Sequence, residues 1–172
     1  MKHIILPLLV LLLAIPTSLL AQRDIPATDH MDISGAVKSA VTLTIPDILS
    51  FPSTALPDVP VYNHMGEVKD TLRELQGVPV KQLFQNVSFA IEKPRELNEF
   101  YFVFEASDGY RVVFSWNEIF NTPVGEQLYI LTSANGVTLP AMPQRIASLS
   151  TGDLQSGRRY VKGLKAIHVL RL

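Results

Sequence analysis

The chain has 172 residues, with 15 Lys and Arg against 16 Asp and Glu, a formal charge of −1 and no cysteine. A balance this close to neutral excludes a protein that holds nucleic acid by overall charge. The missing cysteines exclude disulfides, thiolate metal ligands and a cysteine nucleophile, so stability must come from the packed core.

Lys2 and His3 precede an apolar run from Ile4 to Ile15, and Thr17-Ser18-Leu19-Leu20-Ala21 follows with small or neutral residues. A charged start, an apolar middle and a small-residue end mark residues 1–21 as a secretory signal peptide, cleaved after Ala21 or Gln22. The run is short for a membrane span; an uncleaved N-terminal anchor is the alternative. No Cys follows it, which excludes a lipoprotein anchor. Roughly 150 residues then remain, one domain's worth. The protein is expected in the periplasm or secreted, with no membrane association after cleavage.

Residues 22–32 are polar, contain Pro26 and His30, and are expected to be a flexible leader. Ile33 to Val37 predicts a first strand with a bend at Gly35, and Val41-Thr42-Leu43 a second. Thr44, Pro46 and Asp47 form a helix start, with Thr as cap, Pro in the first turn and an acid at the positive helix end. Val59 to Tyr62 follows a proline-bearing loop. Asn63 to Leu75 is charged and mixed, and fits either a loop or a small ribbon. Gly77-Val78-Pro79-Val80 starts a short helix whose Val80, Leu83 and Phe84 share one face. Lys93 to Asn98 is a turn.

Phe100 to Phe120 carries the clearest local pattern. Phe100, Phe102, Phe104 and Ala106 alternate with Tyr101, Val103 and Glu105, the period of a strand. Asp108-Gly109 suits a tight hairpin turn, and Tyr110 to Phe114 returns. Ser115 with Glu118 three residues later is a capping box, so a helix begins there. Gln127 to Ser133 predicts a strand, Asn135-Gly136 a turn, Arg145 to Leu149 a strand, and Tyr160 to Leu172 the last one. Many short strands with a few short helices give an α+β, mainly β domain over residues 33–172.

Taken in order, these segments resemble the molybdopterin-binding oxidoreductase family, with its sulfite-oxidase-like fold. Ile33-Ser34-Gly35-Ala36-Val37 with Thr44 to Leu49 resembles the family's opening strand and TLxDL turn. Gly77 to Phe84 is similar to its GVPLRDLL helix. Ser107 to Tyr110 with Ser115 to Glu118 resembles its ADGYxxxFSxxEL stretch. Gly157-Arg158-Arg159-Tyr160-Val161-Lys162-Gly163-Leu164 is similar to its GxRSVKWL segment. The resemblance is to the small, exported, single-domain members. It implies a molybdenum atom on a pyranopterin dithiolene, ligated by a Cys that lies after the strand matching Val59 to Tyr62. Here that place reads Tyr62-Asn63-His64-Met65-Gly66. Without the soft thiolate donor, standard oxygen-atom transfer at molybdenum loses its usual metal ligand.

The resemblance points to Arg159 and Lys162 as cofactor-binding residues for a phosphate and pterin. Arg158 adds a third charge beside Gly152 and Gly157, whose backbone could turn amides toward an anion. A guanidinium offers a planar fork to a phosphate and an ammonium a point charge. A solvated basic loop is the plain alternative. His64 is a candidate nitrogen donor on the same side, against an ordinary surface histidine. His168 and Trp116 fit packing better than ligation, Asp108 fits a turn, and Ser115 fits a cap. No P-loop, GxGxxG, HExxH or CxxC is present.

Three readings follow. The first is an exported module that binds a pterin cofactor or related anionic ligand without Cys ligation. The second is an active Cys-independent molybdoenzyme, and the third a cofactor-free interaction domain for a redox or periplasmic protein partner.

Overall fold

The computed structural model describes residues 24–172. The signal peptide assigned to residues 1–21 lies outside the described residues. The described chain is mostly β-sheet with a few short helices, an α+β, mainly β architecture.

The elements in order are β1 (His30–Gly35), β2 (Val41–Thr44), α1 (Ile45–Ser50), β3 (Thr54–Ala55), β4 (Val59–Tyr62) and β5 (Val68–Leu72). Next come β6 (Gln76–Pro79), α2 (Val80–Leu83), β7 (Phe100–Ala106), β8 (Arg111–Ser115), α3 (Trp116–Asn121) and α4 (Pro123–Glu126). The chain ends with β9 (Leu128–Ala134), β10 (Val137–Thr138), β11 (Ala147–Ser150), β12 (Val161–Lys162) and β13 (Leu164–Arg171). Pro94–Glu99, Leu139–Ala141 and Ser156–Arg158 are short 3-10 helices.

A five-stranded sheet has the order β2-β1-β13-β7-β8, and a six-stranded sheet the order β12-β11-β9-β6-β3, with β10 added on β9. β4 and β5 form a separate ribbon. Side chains from both large sheets meet in one core. Met31, Ile33, Phe102, Phe104, Phe114, Ile167 and Val169 come from the first sheet, and Val78, Leu128, Ile130 and Val161 from the second. Phe102, Phe104 and Phe114 are fully buried, each stabilising by about 1.5–3 kcal/mol through removal from water. Phe84, Phe89, Phe102 and Phe120 meet mostly edge to face, at centroid distances of 5.1–6.1 Å, an arrangement their quadrupoles favour.

Both predicted capping boxes form. The Thr44 hydroxyl accepts from the Asp47 amide, and Asp47 returns a bond to the Thr44 amide at 2.8 Å. Ser115 and Glu118 repeat the motif, with 2.7 Å from the Ser115 amide to Glu118 Oε2.

Three sequence expectations are corrected and one open alternative is decided. The leader is partly tied down: the Pro26 carbonyl accepts from Ser107 Oγ at 2.6 Å, and Thr28 bridges to Arg145. His30 starts β1, which runs parallel to β13 and buries Met31 and Ile33 completely; their period-two spacing was the signal. Of the two forms left open for Asn63–Leu75, the structure shows the ribbon. Gln76–Pro79 is a strand before α2, bonded to β3 and β9. The last strand is two strands in different sheets. They part at Gly163, whose φ of +62° turns the chain from one layer into the other.

On the outer face of the first sheet, Glu105 is nearly buried between Lys165 (2.9 Å), Arg111 (3.2 Å) and His168 (2.9 Å). Hydrogen bonds from Lys165, then Arg111, outweigh desolvation and hold its carboxyl down at about 2, from an ordinary 4.5. Between those values the unfolded chain binds the proton first, so this contribution is complete above about pH 4.5 and is lost as pH falls toward 2. Glu105→Gln is expected to lower the melting temperature at pH 7 and to flatten its decline below pH 4.5. An unchanged acid limb in a pH series of melts would contradict this role.

The hairpin offers a second check. Gly109 has φ +85° and open space where a Cβ would sit. The cost of Gly109→Val is therefore conformational alone, about 1 kcal/mol or more, readable as a lower denaturation midpoint.

Candidate functional site

Three segments with little sequence proximity come together around a cleft of about 760 Å³. The ribbon gives Val61, Tyr62, Asn63, His64, Lys69 and Asp70; the hairpin turn gives Asp108 and Tyr110; the stretch before β13 gives Arg158, Tyr160 and Lys162.

Local bonds fix each wall. At the ribbon tip, Asn63 Oδ1 accepts from the amides of Met65 (2.9 Å) and Glu67 (3.0 Å), which sets the loop that carries His64. At the hairpin turn, Asp108 Oδ1 accepts from the Tyr110 amide at 2.9 Å, the side-chain-to-backbone bond that Asp makes in turns. Ser156 Oγ donates to the Pro60 carbonyl, and Tyr110 Oη donates to the Arg158 carbonyl. The basic loop is thereby fastened to the ribbon on one side and to the hairpin on the other.

The contact at Gly157 is the tightest of these. A Cβ there would lie 2.2 Å from the Tyr62 carbonyl oxygen. Only a glycine lets loop and ribbon backbones approach this closely.

The electrostatics select among the basic residues. Arg145 pairs with Asp29, Lys165 with Glu105, and Arg171 with Glu96 and Glu99. Arg159 is spent on structure. It binds Asp153 through Nε and Nη2, reaches Glu118 at 3.2 Å, and lies 4.5 Å above the Phe114 ring. Its hydrogen bonds to Asp153 raise its pKa further. Arg159 is not among the residues that line the cleft, whereas Arg158 and Lys162 are. Neither forms an ion pair among the described residues, and the same holds for Lys69 across the cleft. Arg158 Nε is anchored on Gln155 Oε1 at 2.6 Å, which leaves its terminal nitrogens for a ligand. Lys162 Nζ lies 5.0 Å from the Tyr160 ring centroid. Against these cations stand two carboxylates, Asp70 and Asp108.

Tyr160 is largely buried, and burial with the nearby Asp70 carboxylate pushes its hydroxyl up to about 12. It stays protonated at physiological pH and can donate a hydrogen bond into the cleft. Tyr62, Tyr110 and Tyr160 give the cleft aromatic walls beside its cations.

The structure therefore brings together Arg158, Lys162 and His64 and sets Arg159 apart. Backbone amides do not serve the site as expected. The Arg158 and Arg159 amides donate to the Gln155 and Ser156 carbonyls within the turn, and Gly152 packs against the Gln127 side chain. Lys69 and the tyrosines were missed, because only the ribbon fold brings Lys69 across from Lys162. His168 binds Glu105, and Trp116 packs on Phe120 at 5.1 Å, both as structural residues.

Among the described residues, no group of three or more His, Asp or Glu could share a metal ion. With no Cys in the chain, the residues do not fit a protein-ligated molybdenum.

No family model matches the chain, and no curated protein matches it. Among solved structures, the sulfane dehydrogenase SoxCD from Paracoccus pantotrophus shares a distant likeness of fold. The match covers 81% of this chain and 37% of that chain, with a TM-score of 0.61 and 16% identity. This chain thus spans little more than a third of the length of that one.

Gly157→Ala is expected to prise the ribbon from the basic loop, at a cost of about 1–3 kcal/mol for overpacking. A thermal melt measures the loss; an unchanged midpoint would show that the two backbones are not in contact.

Proposed function

We propose that the protein is an exported binding module of the molybdopterin-oxidoreductase type, whose cleft takes a pterin cofactor or a related anionic, ring-bearing small molecule without Cys ligation of molybdenum. One observation carries the reading: Lys69, Arg158 and Lys162, left without acidic partners, face one cleft walled by tyrosines. Cations without counterions favour an anion in a cleft more than on an open surface. A phosphate would meet Arg158 and Lys162, while the tyrosines and the Tyr160 hydroxyl would hold a flat heterocycle. The distant likeness of fold to a dehydrogenase supports the sulfite-oxidase-like assignment, as does the order of the family-like segments. The pattern of residues 1–21 supports export.

An enzymatic role would have to use a ligand that brings its own redox chemistry. A bound pterin would supply electron transfer at its ring; this chain would bind the anion, orient the ring and exclude water.

The test is calorimetric titration of the purified protein with a pterin monophosphate. Arg158→Ala with Lys162→Ala is expected to weaken binding at least tenfold with an unchanged melting temperature. Arg159→Ala is expected to do the reverse, lowering the melting temperature and barely changing affinity once folded. Equal affinity in the double variant and the parent would overturn the site. Protein from its exporting host, assayed for pterin fluorescence and molybdenum, separates the module from a loaded enzyme.

A further inference from the structure

The cleft holds two carboxylates that a purely anionic ligand does not explain. Asp70 lies on β5 and Asp108 at the hairpin turn, and neither forms an ion pair among the described residues. Each spends one oxygen on a neighbouring backbone amide: Asp70 Oδ1 accepts from Thr71 at 2.7 Å, and Asp108 Oδ1 from Tyr110 at 2.9 Å. Their Oδ2 atoms accept from none of the described residues. The amide group of Asn63, by contrast, is fully used, with Nδ2 on Glu67 Oε2 and Oδ1 on two backbone amides. Carboxylates without cations of their own repel a ligand that is only an anion. They suit a ligand with two ends, an acid for the cations and hydrogen-bond donors for a carboxylate.

The two carboxylates have different neighbours. Asp108 belongs to the hairpin turn whose Tyr110 is bonded to the Arg158 carbonyl, so it stands with the guanidinium that takes the acid end. Asp70 stands on the ribbon opposite Val61, and its charge reaches the Tyr160 hydroxyl and helps keep it protonated. Tyr160 is also the ring that Lys162 Nζ approaches to 5.0 Å. An acceptor carboxylate near a phenol that donates has a chemical complement. Along one edge of a 2-amino-4-oxopyrimidine, the amino group and N3–H donate and the oxo group accepts. Pterins carry this edge, and guanine carries the same one.

We propose that Asp70 selects the ring of the ligand, accepting from the amino and N3–H groups of a 2-amino-4-oxopyrimidine edge while the Tyr160 hydroxyl donates to the oxo group. The inference rests on the anion-and-ring reading of the cleft and adds the class of ring. Hydrogen bonds to an ionised carboxylate are the strong kind, and paired ones fix orientation. A ring with oxygen in place of the amino group turns a lone pair toward Asp70 and leaves the carboxylate unpaired, which is how a polar site rejects a near-isostere.

Calorimetric titration of the purified protein with a pterin monophosphate and with the matching lumazine, whose C2 carries oxygen instead of the amino group, tests this. The parent is expected to prefer the pterin by about tenfold or more. In Asp70→Asn the amide oxygen keeps the Thr71 bond and the NH2 faces the ligand, so the preference is expected to vanish or reverse. The melting temperature should not move, because Asp70 is exposed. Asp108→Asn, which keeps its turn bond, is expected to leave the preference intact. Tyr160→Phe is expected to weaken both ligands alike, since both carry the 4-oxo group. Guanosine monophosphate separates the two sources of the edge: if it binds more tightly than the pterin and loses affinity in Asp70→Asn, the role of Asp70 stands and the ring is guanine. Equal affinity for pterin and lumazine, or a preference that survives Asp70→Asn, would overturn the assignment while leaving the anion site in place. A parent that binds none of the three ligands would overturn the site as well.

Discussion

β13 lies between β1 and β7, parallel to the first and antiparallel to the second, and its register with β7 runs from Leu164 opposite Ala106 to Arg171 opposite Phe100. This insertion joins the two ends of the domain to its central hairpin, and it decides where the cleft can be. A register shift between Leu164 and Ala166 leaves Lys165 outside the ladder, with its ammonium against Glu105. Gly163, one residue earlier, must leave the sheet at once. Its carbonyl accepts from the Ser107 amide at 2.7 Å, and a Cβ there would meet Pro26 O and Ser107 Oγ at 2.7 Å. Lys162 and Tyr160 are therefore delivered beside the hairpin turn by backbone geometry. The cleft inherits its position from the most buried part of the molecule.

What was legible in the sequence is what one stretch of chain can decide alone. The hairpin of Phe100 to Ser115 has alternation, a turn dipeptide and a cap within a few residues of one another, and it forms as expected. Both capping boxes do so for the same reason. The failures are all non-local. Gln76–Pro79 contains a Gly and a Pro and shows no alternation; it is a strand because β3 and β9 flank it. Tyr160 to Leu172 reads as one extended run, and nothing in its composition says that Gly163 divides two sheets. The Val59–Leu72 ribbon is polar, with Val59 and Leu72 alone buried in it, which is why the sequence left Asn63–Leu75 open between loop and ribbon.

The candidate site shows the same boundary more sharply. Six basic residues from Arg145 onward form one cluster in sequence, yet their meaning depends on acids contributed from elsewhere. Asp29, Glu96, Glu99, Glu105 and Glu118 neutralise four of them from other segments, with Asp153 alone local. Arg158 and Arg159 are adjacent and chemically identical. One is bound into a pair with Asp153 and Glu118 over Phe114, and the other points into the cleft. Sequence reasoning could weigh the cluster as a whole, but no local signal could separate its members.

Fold and chemistry part company at the cleft. A distant likeness to a dehydrogenase concerns the fold alone, and a scaffold does not fix its site. The polar side chains that line the cleft carry ammonium, guanidinium, imidazole, amide, carboxylate and phenol groups. None is the soft donor that would complete a molybdenum coordination sphere. For the proposed ligand, selectivity would come from charge and from stacking, which act on a phosphate and a ring. The tight approach of Gly157 to Tyr62 matters for that reason. For the proposed ligand, held by no metal–protein bond, the distance between the ribbon and the basic loop would be what brings Lys69 and Lys162 to bear on the same anion.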